Sequence, residues 1–307
     1  MLGDTGPGIG LNTLVVASGA GLLGAGGGVL GTFLLYRRRV MLADAAGHAT
    51  LPGVVLAFLV GLALFGEGRV PVLLFSGAVL SAASAGLLVE TYLRTRRLPE
   101  DAATASVLAT FYGAGLVLLD YVQALPVGGQ AGLERLLLGS AASMLRAEAE
   151  LLAAGALVLL VVLALSAKEF RLLCFDPGFA DAHGWSSRRL DLLLTGLLLV
   201  QIALALPIVG LVLALALVAT PPVIARLWVD RLSHMLGLAA LVGGFGACAG
   251  VFLSALLPRL PTGATVVLVL AALLAASLGT APRRGWWAVA LRRRALRRRS
   301  ASVGGKR

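Results

Sequence analysis

Cysteine is nearly missing from this chain. The two present, Cys174 in a charged stretch and Cys248 in an apolar run, have no CxxC spacing, so neither a disulfide framework nor a thiolate metal site is expected. Charge is scarce too, at 13% of residues against roughly a quarter in soluble domains. No GxxxxGK[ST] loop, GxSxG elbow or HExxH helix occurs, so the chain lacks the familiar parts for hydrolysing a nucleotide or cleaving a peptide by itself. Acidic residues are absent from Arg283 to Arg307, where ten of the 26 basic residues fall. The 282 residues before that stretch carry 16 basic and 15 acidic side chains, so the net charge of +11 belongs to a tail. A basic tail after an apolar span marks a membrane surface with anionic headgroups, and nucleic acid is not an expected partner.

What is abundant is apolar: 59% of residues are hydrophobic and the mean hydropathy is +0.94. Runs of Leu, Ala and Val without period-two alternation read as helices and not barrel strands, because lipid offers the backbone no hydrogen bonds. The expected fold is all-α, a polytopic transmembrane helical bundle, with a membrane domain over 1–282 and a basic tail over 283–307. Spans are expected at 11–36, from after Arg39 to Phe65, 71–92, 102–121, 151–167, 236–257 and 264–280. The 36 apolar residues from 190 to 225 are read as a tight hairpin broken at Pro207, giving nine spans; eight with a re-entrant segment is the alternative. The amphipathic stretch GLERLLLGSAASML lies on the membrane surface, caps a pore or simply connects two spans. With nine spans, 22 of the 26 basic residues face one side, which places the C-terminus in the cytoplasm. The opening MLGDTGPGIG lacks a basic n-region, so the first span reads as retained, while Trp286 and Trp287 read as an interfacial anchor.

Three local patterns bear on function. Gly26, Gly28 and Gly31 match GxGxxG, but they sit in a membrane-length apolar run with no βαβ context; Gly24 with Gly28, and Gly27 with Gly31, instead have the small-xxx-small spacing of close-packed membrane helices. Glu90 precedes Arg94 by four residues and reads as an ordinary helix-surface pair. Asp44 and His48 share one face of the second span a turn apart, just before Pro52 and Gly53, which are expected to loosen the helix. Ionisable groups in an apolar span are costly and usually face a cavity or an ion pathway. Taken alone, the pair fits a cation contact or a helix-cap acid beside an interfacial histidine. His183 and His234 read as structural, and Asp120 as a boundary acid that either attracts cations or is simply solvated.

Four segments in order carry a family resemblance. RRRVMLADAAGHATLPGVVLAFL, KEFRLLCFDPGFADAHG, VATPPVIARLWVDRLSHML and LPTGATVVLV followed by PRRG resemble the membrane permease subunits of bacterial ABC importers for manganese, zinc or iron. The likeness runs from about residue 14 to 285. Ala43, Gly47 and Pro222 depart from the family pattern of Gly, Ser and a small residue, yet leave Asp44 and His48 intact.

The resemblance implies a cytoplasmic-membrane transport subunit with no permanent cofactor. Its cargo would be Mn²⁺, Zn²⁺ or Fe²⁺, held in passing by Asp44 and His48. The Leu51-Pro52-Gly53 step and ARLWVDRL look more like the manganese or iron branch. Partners implied are a cytoplasmic ABC ATPase, an extracytoplasmic metal-binding protein, a second permease chain, identical or closely related, and the lipid itself. Within Lys168 to Arg189, the residues Phe175, Asp176, Phe179 and Ala180 would dock the ATPase; without the resemblance this segment is a solvated loop. The competing readings are a vitamin or metal-chelate permease and a membrane scaffold without transport.

Overall fold

The structure is a computed structural model that describes residues 11–68, 70–95, 99–125, 146–257, 261–282 and 285–286. The amphipathic stretch 132–145, Trp287 and most of the basic tail lie outside the described residues. Eleven helices are described, with no strand among those residues: α1 (Leu11–Tyr36), α2 (Val40–Phe65), α3 (Pro71–Arg94), α4 (Glu100–Ala124), α5 (Arg146–Leu165), α6 (Ala167–Phe175), α7 (Pro177–Ala182), α8 (Ser187–Val209), α9 (Leu211–Trp228), α10 (Leu232–Leu256) and α11 (Thr262–Thr280). Seven are long and apolar enough to cross a membrane, and an eighth crossing is made if α5 and α6, bent by 57°, count as one broken span. The remaining apolar helix, α9, is short, with 18 residues or about 27 Å. It runs alongside the second half of α1, with Leu217 beside Gly27 and Arg226 beside Tyr36.

The break between α8 and α9 lies at Gly210, and Pro207 falls inside the range of α8. Gly210 has φ 74° and ψ 173°, a conformation a side chain resists, so the hinge forms where glycine permits it. Neither does Pro52 end α2, which continues helically to Phe65. The Pro52–Gly53 step is instead buried, and a Cβ at Gly53 would collide with the Gly77 carbonyl of α3.

Two helix groups make up the molecule. In one, α1 is central, packed most extensively on α10 and then on α5 and α9, with α11 against α9 and α10. In the other, α2 packs on α3 and α4. Although consecutive in sequence, α1 and α2 barely touch; α8 and α9 join the groups. A Cβ on Gly24 or Gly28 would strike the carbonyls of Gly243 or Ala239 on α10, so the small residues do set a close approach. Pro221 and Pro222 complete the packing on the opposite flank. Lacking N–H groups, they deprive the Leu217 and Val218 carbonyls of their usual helical donors, and those carbonyls face Gly27 and Gly31.

Placing a leucine at Gly24 forces α1 and α10 apart, and overpacking of this kind costs about 1–3 kcal/mol. A thermal unfolding series in detergent is expected to rank Gly24→Leu well below Gly24→Ala, with Gly196→Ala, where a Cβ meets open space, unchanged.

Candidate metal-permeation site

Early in α2, the regular helix carries Asp44 and His48 onto one face, with His48 Nε2 3.3 Å from Asp44 Oδ1. Their side chains are 33% and 26% exposed, at a lining of about 50 Å³ formed with Ala43 and Gly47 of α2, Ile202 of α8 and Ala214 and Leu215 of α9. The pair therefore sits on the seam between the two helix groups. Across from it, Tyr112 of α4 meets the imidazole edge-on at 4.7 Å between centroids. An ion about 2.0–2.2 Å from both Oδ1 and Nε2 would subtend roughly 100° at the metal, an angle compatible with tetrahedral or octahedral coordination.

The surroundings make this a weak site. His48 Nδ1 is buried and has no hydrogen-bond partner, whereas a strongly ligating histidine donates its second N–H to an acceptor. Among the described residues, no cluster of three or more His, Cys, Asp or Glu side chains is placed to hold a metal. Pro52 has no N–H, so the His48 carbonyl loses its ordinary helical donor. Beyond the pair, a mostly apolar cleft of about 630 Å³ opens between α2, α3 and α4, with Pro52, Ser81 and Thr110 on its walls.

At the Arg37 end lies a charge network that sequence reasoning missed. Arg37 grips Asp191 of α8 with two hydrogen bonds, Nε to Oδ1 at 3.1 Å and NH2 to Oδ2 at 2.7 Å, and donates a third to the Leu173 carbonyl of α6 at 3.3 Å. Arg39 reaches Glu100 of α4 at 3.0 Å, Asp191 at 3.6 Å and Glu90 of α3 at 3.9 Å. Glu90 thus faces the α1–α2 turn as well as its own helix surface, and the role expected for it as a mere local pair is too small.

The four docking residues expected in the loop from Lys168 to Arg189 fall on α6, α7 and the joint between them. Phe175 and Phe179 are 66% and 48% exposed. The Asp176 carboxylate accepts a hydrogen bond from the Phe179 amide at 2.9 Å and so caps α7. Ala180 is fully buried, because its small side chain lets α7 settle onto the bundle, and it presents no contact surface. Trp185, 48% exposed in the same segment, was not singled out by sequence. His183 folds over Phe179 and its Nδ1 pairs with the Phe179 carbonyl at 2.9 Å, a local structural role. His234 is exposed at the start of α10, Asp120 is exposed near the end of α4, and both thiols pair with backbone carbonyls of α1.

With this geometry in place, comparison with known proteins is informative. The model of the ABC 3 transport family matches residues 12–280. The chain belongs to that family. It is 38% identical over 294 residues to the manganese transport system membrane protein MntC of Bacillus subtilis, covering 94% of this chain and 66% of that longer protein. To the zinc transport system membrane protein TroC of Treponema pallidum it is 37% identical, over 88% of this chain and 89% of the relative. The fold matches PsaBC from Streptococcus pneumoniae, solved in complex with a Fab, with a TM-score of 0.73 at 24% identity over 88% of this chain and 92% of that one.

Removing the cap should expose its amide: in Asp176→Ala, hydrogen exchange at Phe179 should rise about fivefold, the equivalent of ~1 kcal/mol, while Asp176→Asn keeps most of the protection.

Proposed function

We propose that this chain is the transmembrane permease subunit of an ATP-driven importer that moves a divalent transition metal, with manganese favoured over zinc and iron. The observation that carries the reading is the Asp44–His48 pair, an oxygen and a nitrogen one ion's width apart on the seam of a membrane bundle. A carboxylate and an imidazole suit Mn²⁺, Fe²⁺ and Zn²⁺. Names of the relatives support the same cargo, one for manganese and one for zinc. A lining of about 50 Å³ beside the pair admits an ion or a water.

Transport follows from weakness as much as from affinity. An ion must shed most of its water to pass an apolar bundle, and Asp44 repays part of that cost with a negative charge. Because His48 has no acceptor for its second nitrogen, its hold is loose and the ion can leave. A second permease chain, identical or closely related, contributes the facing half of the pore and a second such pair. No resident cofactor is needed, since the metal is cargo.

Energy comes from a separate ABC ATPase, because this chain has no phosphate-binding loop. Phe175, Phe179 and Trp185 form its docking patch, with Asp176 fixing α7 and Ala180 seating it. The Arg37 end and the C-terminal tail then face the cytoplasm, in the bacterial inner membrane, and an extracytoplasmic metal-binding protein delivers the ion at the opposite end.

In vesicles reconstituted with the complete importer, Asp44→Ala and His48→Ala should each abolish Mn²⁺ uptake, by at least about a hundredfold, with assembly and basal ATP hydrolysis retained. Normal flux through either variant contradicts the ligand assignment. Replacing both Phe175 and Phe179 with alanine removes the exposed aromatic pair, and copurification of the ATPase should fall about tenfold or more; undiminished copurification rules the patch out.

A further inference from the structure

The three-residue turn between α1 and α2 is built unlike a passive connector. Its middle residue, Arg38, holds φ 60°, a left-handed conformation that costs a side-chain-bearing residue and that glycine adopts freely. On either side, Arg37 and Arg39 are committed in opposite directions. Arg37 binds Asp191 on α8 and the Leu173 carbonyl at the end of α6, two residues before the exposed Phe175. Arg39 binds Glu100 and Glu90, at the ends of α4 and α3, and shares Asp191. Tyr36, just before the turn, stacks on Phe175 at 5.7 Å between centroids and accepts a hydrogen bond from Arg226 of α9 at 2.7 Å.

Both helix groups are therefore tied to one turn, which leads directly into α2 and, five residues after Arg39, into Asp44. Direct packing between α1 and α2 is slight, a crevice of about 190 Å³ lies beside Arg39 between α3, α4 and α8, and the groups meet here through an apolar core that includes Phe33, Leu34, Leu42, Val89 and Leu190. Asp191 is the shared acceptor. A displacement of α6 that pulls on Arg37 changes what Asp191 offers to Arg39, and the bidentate geometry makes the exchange discrete and not gradual.

We propose that Arg37, Arg39 and Asp191 form the transmission that carries a movement of α6 and α7 into α2, so that docking or release at the Phe175 patch opens and closes the seam holding Asp44 and His48. These are positioning residues: they touch neither metal nor nucleotide. The inference rests on the importer reading above and adds to it a route between the two ends of the mechanism.

The test uses the complete importer in proteoliposomes, measuring Mn²⁺ taken up and ATP hydrolysed in the same sample. Wild-type vesicles that take up none of Mn²⁺, Zn²⁺ and Fe²⁺ overturn the importer reading itself, whatever the variants do, and where another of the three is the cargo it replaces Mn²⁺ in the ratio. Given wild-type uptake, Asp191→Asn should lower the metal moved per ATP by about tenfold, with the ATPase still bound and still hydrolysing. Asp191→Glu, which keeps a carboxylate for both guanidiniums, should hold the ratio within about threefold of wild type, a split from Asp191→Asn that loss of fold does not explain. Arg38→Gly, which removes a similar positive charge from an exposed position, should leave the ratio unchanged. An unaltered ratio in Asp191→Asn overturns the proposal, as does an Asp191→Glu variant that assembles yet is as uncoupled as Asp191→Asn. If Asp191→Asn fails to assemble, Arg39→Gln decides by the same ratio: a fall of about tenfold supports the proposal and an unaltered ratio overturns it.

Discussion

Lipid gives an ionised side chain no partner, so every charge inside this bundle has to be answered by another part of the chain or by the cargo. At the Arg37 end the answer is internal: two guanidiniums meet three carboxylates drawn from α3, α4 and α8, and the excess is one negative charge on the described network. Along α2 the answer is left incomplete. Asp44 has only an imidazole beside it, and His48 keeps one nitrogen without a partner. The contrast separates a locked network from a site that is energetically open to a passing cation.

Close backbone packing supports both. Gly24 and Gly28 let α1 lie against α10, and Gly53 lets α2 lie against α3, so each group is closely packed in its own right. Between the units the contacts are thinner, and the polar pair was placed in that seam. Membrane helices gain little from apolar contact with one another, because lipid tails are just as apolar; small residues, freed carbonyls and ion pairs decide which surfaces adhere. Prolines contribute here as carbonyl-releasing residues within helices, at Pro52, Pro221 and Pro222.

Much of the fold was legible in the sequence because a membrane crossing leaves a coarse, local mark: α1 and α2 match their expected bounds, and α3, α4, α10 and α11 differ by a few residues. The hairpin hinge was placed three residues early, at Pro207, since proline announces a break by composition while the real break depends on the left-handed φ that Gly210 tolerates. The spacing of Asp44 and His48 follows from helix periodicity and was readable at once. The partners of Arg37 and Glu90 were not, because Arg37 and Asp191 are 154 residues apart and nothing in either local stretch encodes the other. The burial of Ala180 was equally hidden: motif likeness puts it in a loop of interest, and only packing shows that it faces inward.

The central claim is that a metal ion rests against His48 while crossing. Pulsed electron paramagnetic resonance on the reconstituted complex loaded with Mn²⁺ reads the ligand nitrogen directly. The account predicts imidazole nitrogen modulation on the bound Mn²⁺ that vanishes in His48→Ala. Modulation that persists in that variant, or its absence from wild-type complex with Mn²⁺ bound, would contradict it.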